Sequence, residues 1–129
     1  MILKGQKVSG GTAEGEALVS TEGISFYGGV EPETGKVVEQ GHPLEGKSVS
    51  GKILVFPEGK GSTVGSYTLY QMKKLGTAPA AIVNKQAETI VAVGAIISEI
   101  PSVHKIEIEK IKDGVKVRVD GDKGEIEVE

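Results

Sequence analysis

An α/β domain built on a mixed sheet is what three features of this 129-residue sequence predict. Ile53 to Phe56 (ILVF) and Ala80 to Asn84 (AAIVN) are short, unbroken apolar runs of the kind buried on both faces of a parallel sheet. Between them, Val64 to Leu75 carries apolar residues at helical spacing, Leu69 with Met72 and Val64 near Tyr67, so the order is strand, helix, strand, as in a parallel crossover. Towards the end the pattern becomes an alternating one, in Ile106–Glu109, Val115–Val119 and Ile126–Val128, which predicts antiparallel strands with one wet face.

The junction between the first strand and the helix carries the chemistry. Pro57 stops the strand, Gly59 and Gly61 let the backbone bend tightly, and Ser62 and Thr63 stand where the helix begins. Lys73 and Lys74 fall in its last turn and Gly76 follows as a C-cap. The first turn of a helix has unpartnered N–H groups and a partial positive charge, so it can hold a phosphate or carboxylate, or stabilise a serine oxygen that gains negative charge. Lys60 stands ready to add a cation there or to face solvent, and Ser62 or Thr63 serves equally well as a plain helix cap. The PEGKGS loop has more glycine than a cap requires. It is not a Walker loop, which needs GxxxxGK[ST].

The rest of the chain follows in order. Met1 to Val8 predicts an edge strand. Ser9 to Gly15 is a second glycine-rich turn, in which Gly10, Gly11 and Thr12 form either a candidate backbone nest for an anion or simply the turn before a strand over Glu16–Ser20. In that strand Ala17 and Val19 share one side and Leu18 takes the other. Ile24 to Glu39 has no helical periodicity. His42, in Gly41-His42-Pro43-Leu44, is a candidate for substrate binding or acid/base support, and no second histidine or cysteine lies nearby to complete a metal site. Asn84 ends the second buried strand, where ligands meet open α/β sheets, and either lines the site or caps the next segment. Gln86 to Ala92 reads as a short helix, while periodicity leaves Ile90–Ile97 open between strand and helix. Asp120 and Asp122 read as turn residues, not as a calcium loop. The loops around Gly10, His42 and Ser62 are expected to gather at one edge of the sheet, beside about two helices.

Composition narrows the function. A single domain over residues 1–129 is the simplest reading of the length. The formal charge of −3, from 15 Lys and Arg against 18 Asp and Glu, gives no basic surplus for a nucleic-acid backbone, and the few aromatics leave no stacking platform for bases. With no cysteine there is no disulfide, no thiolate nucleophile and no cysteine-held iron or zinc, so no metal site is expected in this chain. No leader-like segment and no bilayer-length apolar run is present, from which a cytoplasmic protein is expected, with no membrane partner.

Four segments carry a resemblance: Val8 to Gly15 (VSGGTAEG), Gly41 to Gly46 (GHPLEG), Pro57 to Ser66 (PEGKGSTVGS) and Glu99-Ile100-Pro101. Together they resemble the small subunit of the aconitase X family over nearly the whole chain. The resemblance implies a swivelling β/β/α domain, equivalent to the mobile small domain of aconitase, paired with a large subunit that carries a [4Fe-4S] cluster. It implies removal of water from a small hydroxy acid, in the archaeal branch mevalonate 5-phosphate, giving trans-anhydromevalonate 5-phosphate for isoprenoid biosynthesis. The family's proton-accepting serine falls on Ser62; the backbone N–H groups from Gly61 to Val64 are expected to support charge on its oxygen, and Thr63 and Ser66 to donate hydrogen bonds to substrate or to the loop itself. Within the family, dehydration of cis-3-hydroxyproline is the alternative activity, and a non-catalytic swivelling binding module is the alternative of another class. A phosphohistidine carrier, the remaining swivelling type, would need a histidine after the first glycine turn, where this chain has Thr12-Ala13-Glu14.

Overall fold

The computed structural model describes residues 1–129. Its elements are β1 (Ile2–Lys4), β2 (Gln6–Ser9), β3 (Thr12–Val19), α1 (Phe26–Gly29), β4 (Ile53–Phe56), α2 (Gly65–Leu75), β5 (Ala81–Asn84), α3 (Thr89–Ile97), β6 (Ser102–His104), β7 (Lys116–Asp120) and β8 (Glu125–Val128), with a single 3-10 turn at Ile108–Lys110. The eight strands form one mixed sheet in the order β1-β8-β7-β3-β4-β5-β6-β2. β3, β4, β5 and β6 run parallel, and β7, β8, β1 and β2 join antiparallel.

The two edge strands of this sheet, β1 and β2, are consecutive in sequence and separated only by Gly5, so the sheet must roll back on itself. A side chain at residue 5 would run into the His104 carbonyl, which is why the crossing from one edge to the other falls on glycine. Inside the roll lie Leu3, Ala17, Ile53, Val55, Ala81, Val83, Val103, Val117, Val119, Ile126 and Val128, one inward set from the strands that enclose it. The outward set of the parallel strands, Leu18, Leu54, Phe56 and Ile82, packs under Leu69 and Met72 of α2 and Val91 and Ala95 of α3. Two cores, one between sheet layers and one under the helices, give a β/β/α sandwich. The parallel register, Leu54 beside Ile82 and Val55 beside Val83, explains the unbroken apolar runs, since both faces of β4 and β5 are covered.

The expected strand, helix, strand unit is thus present, with Gly76 in the left-handed conformation at the end of α2 (φ 79°) and its N–H bonded to the Lys73 and Met72 carbonyls. Four details differ from the sequence reading. β3 begins at Thr12, four residues before the expected Glu16, because Thr12 to Glu16 pair with β7 as well. The N-terminal lead-in is two strands on opposite edges. Residues 89–97 are helical: Glu88 caps them, its carboxylate accepting from the Ile90 and Val91 N–H groups at 3.0 and 3.2 Å. Asn84 is therefore not the cap of that helix. Gly94 then lets α3 approach α2, since a Cβ there would stand 2.7 Å from Leu69 Cδ1. Finally, Ile106–Glu109 is no strand. β6 already has β5 and β2 on its two sides, and the chain turns away through Lys105 (φ 60°), so Ile106, Ile108 and Ile111 enter the inner core from a tight turn instead.

Apart from the single turn of α1, residues 24–49 are ordered without regular structure. Ile24, Phe26, Val30, Val37, Leu44 and Val49 are all buried against the helix-side core, and isolated bridges join Val30 to Val37 and Lys36 to Ser48. Phe26 meets Phe56 edge-on at 6.1 Å between ring centres, which pins the start of this segment to the end of β4.

Candidate active site

The carboxyl ends of β4 and β5 are stitched together before the glycine loop begins. Asn84 Nδ2 donates to the Phe56 carbonyl at 3.0 Å, and the Lys85 and Gln86 N–H groups both donate to the Pro57 carbonyl at 3.1 Å. Asn84 is buried, so its amide fixes the base of the loop.

From Glu58 the loop lies between two walls. On one side runs Gly23 to Ser25: Ile24 N–H donates to the Glu58 carbonyl (3.3 Å), Lys60 N–H donates to the Ile24 carbonyl (3.0 Å), and Ile24 pairs with Gly59 in a parallel bridge. On the other side is the start of α3, where a side chain at Gly59 would strike Val91 Cγ2 and come within 2.8 Å of Glu88 Oε1. Gly61 turns the chain with φ 94°, and a Cβ there would strike Ser25 Oγ, so this position excludes side chains twice over. Lys60 Nζ reaches Glu39 at 3.1 Å and does not point at Ser62.

Ser62 emerges from this clamp exposed, as do Thr63 and Lys60. Its Oγ accepts from the Val64 N–H at 3.2 Å, and its carbonyl accepts from Gly65 N–H at 2.9 Å, which opens α2. The N–H groups of Gly61, Ser62 and Thr63 have no acceptor in the chain, so three successive free donors flank one hydroxyl at a helix mouth. Such a constellation stabilises negative charge on or beside the Ser62 oxygen. The Thr63 hydroxyl is likewise unengaged, whereas Ser66 Oγ donates to the Ile90 carbonyl at 3.0 Å and ties α2 to α3.

His42 is buried close to this loop but does not reach into it. Its Nε2–H donates to the Gly23 carbonyl at 3.0 Å and its Nδ1 accepts from the Leu44 N–H at 3.0 Å. Gly10, Gly11 and Thr12 do not join the cluster. Gly10 and Gly11 precede β3 and Thr12 begins it, and its eight residues span about 25 Å before the end that adjoins β4. There the Asp122 carboxylate accepts from Gly11 N–H at 3.3 Å, so the nest is filled by a residue of the turn that Asp120 and Asp122 form.

Sequence reasoning missed Gly23, Ser25, Glu39 and Glu88, the residues that clamp the loop. Glu88 departs from the Ser/Thr/Asp/Asn preference for helix caps, and the others lie 20 to 40 positions away from the loop they hold, with no local pattern to join them.

The sequence matches the profile of the aconitase X swivel domain over residues 2–128. The chain belongs to the aconitase X swivel domain family. It is 58% identical, over 99% of its length and 96% of the relative's, to the phosphomevalonate dehydratase small subunit of Thermococcus kodakarensis. It is 60% identical to the protein of the same name from Methanosarcina acetivorans, covering 98% and 90% of the two chains. The crystal structure of Thermococcus kodakaraensis aconitase X in its holo-form superposes with a TM-score of 0.98 at 56% identity, covering 100% and 98% of the chains. The swivel domain expected from the four resembling segments is thus the fold this chain has. No helix is long and apolar enough to cross a membrane.

One titration follows from the geometry beside the site. His104, at the end of β6, accepts the Ala87 N–H on Nδ1 at 3.0 Å, and burial, with a smaller contribution from Lys105, holds its pKa below the usual histidine value. A folded-state pKa below the unfolded one means that the unfolded chain takes up the proton first. The stabilisation is complete above pH about 6.5 and is lost as pH falls through the depressed folded value. Urea unfolding of wild type and His104→Asn, which keeps an acceptor for Ala87 but does not titrate, is expected to diverge below pH 6.5, with the variant less acid-sensitive. Parallel curves down to pH 5 would refute it.

Proposed function

We propose that this chain is the small subunit of a cytoplasmic two-subunit hydro-lyase that removes water from mevalonate 5-phosphate to give trans-anhydromevalonate 5-phosphate, with Ser62 as proton acceptor. The observation that carries the reading is Ser62 itself, an exposed hydroxyl beside three free N–H groups and one donated by Val64, on the glycine loop of an aconitase X swivel domain. Full-length relatives named phosphomevalonate dehydratase small subunit, at 54–60% identity, supply the substrate.

Loss of water from this substrate needs a base for a proton of the methylene beside the carboxylate and assistance to the departing tertiary hydroxyl. A neutral serine hydroxyl is too weak a base at pH 7. Charge on its oxygen is supported here by the Val64 N–H, by the other free donors of the loop and by the partial positive charge at the start of α2. Thr63, with a free hydroxyl, is the adjacent donor for a substrate oxygen. Lys60 holds Glu39 and acts through the loop, and Asn84 and Ser66 act as its anchors.

A [4Fe-4S] cluster does not fit this chain. There is no cysteine, and no three His, Asp or Glu side chains converge. We therefore assign the cluster to the large subunit, and expect the small chain alone to be inactive. The test is anaerobic assay of each subunit alone and of the co-expressed pair. Formation of trans-anhydromevalonate 5-phosphate by the pair only is the expected result. An active pair that ignores mevalonate 5-phosphate and dehydrates cis-3-hydroxyproline would overturn the substrate while keeping the reaction class.

A further inference from the structure

His42 has the chemistry of an acid/base group but not its placement. The ring is 5% exposed, and both nitrogens are consumed within the chain. A carbonyl oxygen can only accept, so the Gly23 contact requires hydrogen on Nε2, and the Leu44 N–H requires a lone pair on Nδ1. One neutral tautomer satisfies both. A proton added to Nδ1 would abolish the Leu44 bond, which removes His42 from any proton-transfer role that keeps this geometry.

What the ring holds is the wall of the Ser62 loop. Gly23, the acceptor of its Nε2–H, packs so closely on the loop that a Cβ there would stand 2.8 Å from the Glu58 carbonyl. The next residue, Ile24, makes the two backbone bonds that bracket Gly59. The one after, Ser25, fills the space beside Gly61 and donates to the Tyr27 carbonyl at 3.0 Å. From the same short turn as His42, Glu39 reaches Lys60 at 3.1 Å, and His42 N–H donates to the Glu39 carbonyl at 3.3 Å. Two contacts from residues 39–42 therefore converge on residues 23 and 60, on either side of the clamp.

We propose that His42 is a positioning residue: through Nε2–H to Gly23 it fixes the strand-like segment 23–25 against Glu58–Gly61 and so sets where the Ser62 oxygen stands. This rests on the reading of Ser62 as the proton acceptor. A position set by several converging contacts is what a reaction sensitive to placement requires, since a shift of about 1 Å can cost about a hundredfold in rate.

The two ring contacts can be separated by substitution. In His42→Gln the amide nitrogen occupies the place of Nε2 and keeps the bond to Gly23. In His42→Asn the side-chain oxygen occupies the place of Nδ1 and keeps only the bond from Leu44. The assembled two-subunit complex would be assayed for kcat and KM with mevalonate 5-phosphate, and hydrogen exchange read at the Ile24 and Lys60 amides. Positioning through Gly23 predicts that His42→Gln stays close to wild type. It predicts that His42→Asn loses between about ten- and a hundredfold in kcat at unchanged KM, with faster exchange at both amides. The reverse order of the two variants, or equal kcat in all three proteins, would overturn it. Exchange in the wild-type complex tests the clamp even if His42→Asn fails to fold: protection of Lys60 comparable to β4 is expected, and exchange as fast as an exposed loop would overturn the proposal. Ser62→Ala run alongside keeps the two readings apart, because full activity in that variant removes the base assignment while the exchange data still decide the role of His42.

Discussion

Ser62→Ala is expected to lower kcat of the assembled complex by about 10²- to 10⁴-fold, the usual worth of a positioned proton acceptor, with little change in folding or assembly. The separation follows from how little the hydroxyl does for the fold. Ser62 is exposed, and its Oγ makes one contact, with the Val64 N–H at 3.2 Å. The bond that starts α2, from Gly65 N–H to the Ser62 carbonyl, is main-chain and survives the substitution. Loss of this one contact, in the turn before α2, costs about 1 kcal/mol of stability, and nothing in it slows a chemical step. Urea unfolding and subunit association measured beside kcat and KM therefore separate the two roles. A variant that is destabilised by about that amount but retains its kcat would reduce Ser62 to a helix cap and move the base to the large subunit.

How far the sequence leads is set by the range of the interactions. The β4–α2–β5 unit is legible because each piece is governed by neighbours: an apolar run buried on both faces, a proline stop, a 3.6-residue stripe, a glycine in the left-handed conformation at its end. For Ile90–Ile97 local pattern fails, since a segment with three valines and isoleucines in four positions reads equally as strand, and only the Glu88 cap and the Gly94 contact with Leu69 decide for helix. Ile106–Glu109 fails for a different reason. Its alternation is real, and Ile106 and Ile108 are buried, but β6, which it follows, already has β5 and β2 on its two sides, and the chain turns away at Lys105.

The site divides in the same way. Gly59, Gly61 and Ser62 are visible as a glycine loop before a helix. That His42 and Gly23 share a hydrogen bond, or that Glu39 pairs with Lys60, depends on the path of the irregular segment 24–49, which its scattered buried residues determine only in three dimensions. The expectation that the Gly10 turn joins them fails on the length of β3: eight residues carry Gly10 and Gly11 to the far end of the sheet, where Asp122 takes their free donor.

The second large effect is expected at Gly59. It is buried, with no left-handed backbone to protect it, so the cost of a side chain there is purely one of space. A Cβ would overlap Val91 Cγ2 and approach Glu88 Oε1 to 2.8 Å. Val91 is β-branched and sits in the first turn of α3, where its rotamer is fixed, and Glu88 is committed to capping that helix through the Ile90 and Val91 N–H groups. Neither neighbour can yield, so the loop must. Gly59→Ala is expected to cost about 1–3 kcal/mol in stability from overpacking and, because Ser62 rides on the displaced loop, about a hundredfold in kcat. Val91→Ala removes the overlapping methyl and leaves Val91 Cβ at an ordinary 3.4 Å. The double variant should then recover part of the kcat lost by Gly59→Ala, since the approach to Glu88 Oε1 remains, although Val91→Ala alone weakens the core, and the double-mutant cycle should show a favourable coupling of about 1–3 kcal/mol. Additive losses in stability and rate would mean that Gly59 is required for some reason other than the approach of α3, and the wall that α3 forms behind the Ser62 loop would have no part in placing the serine.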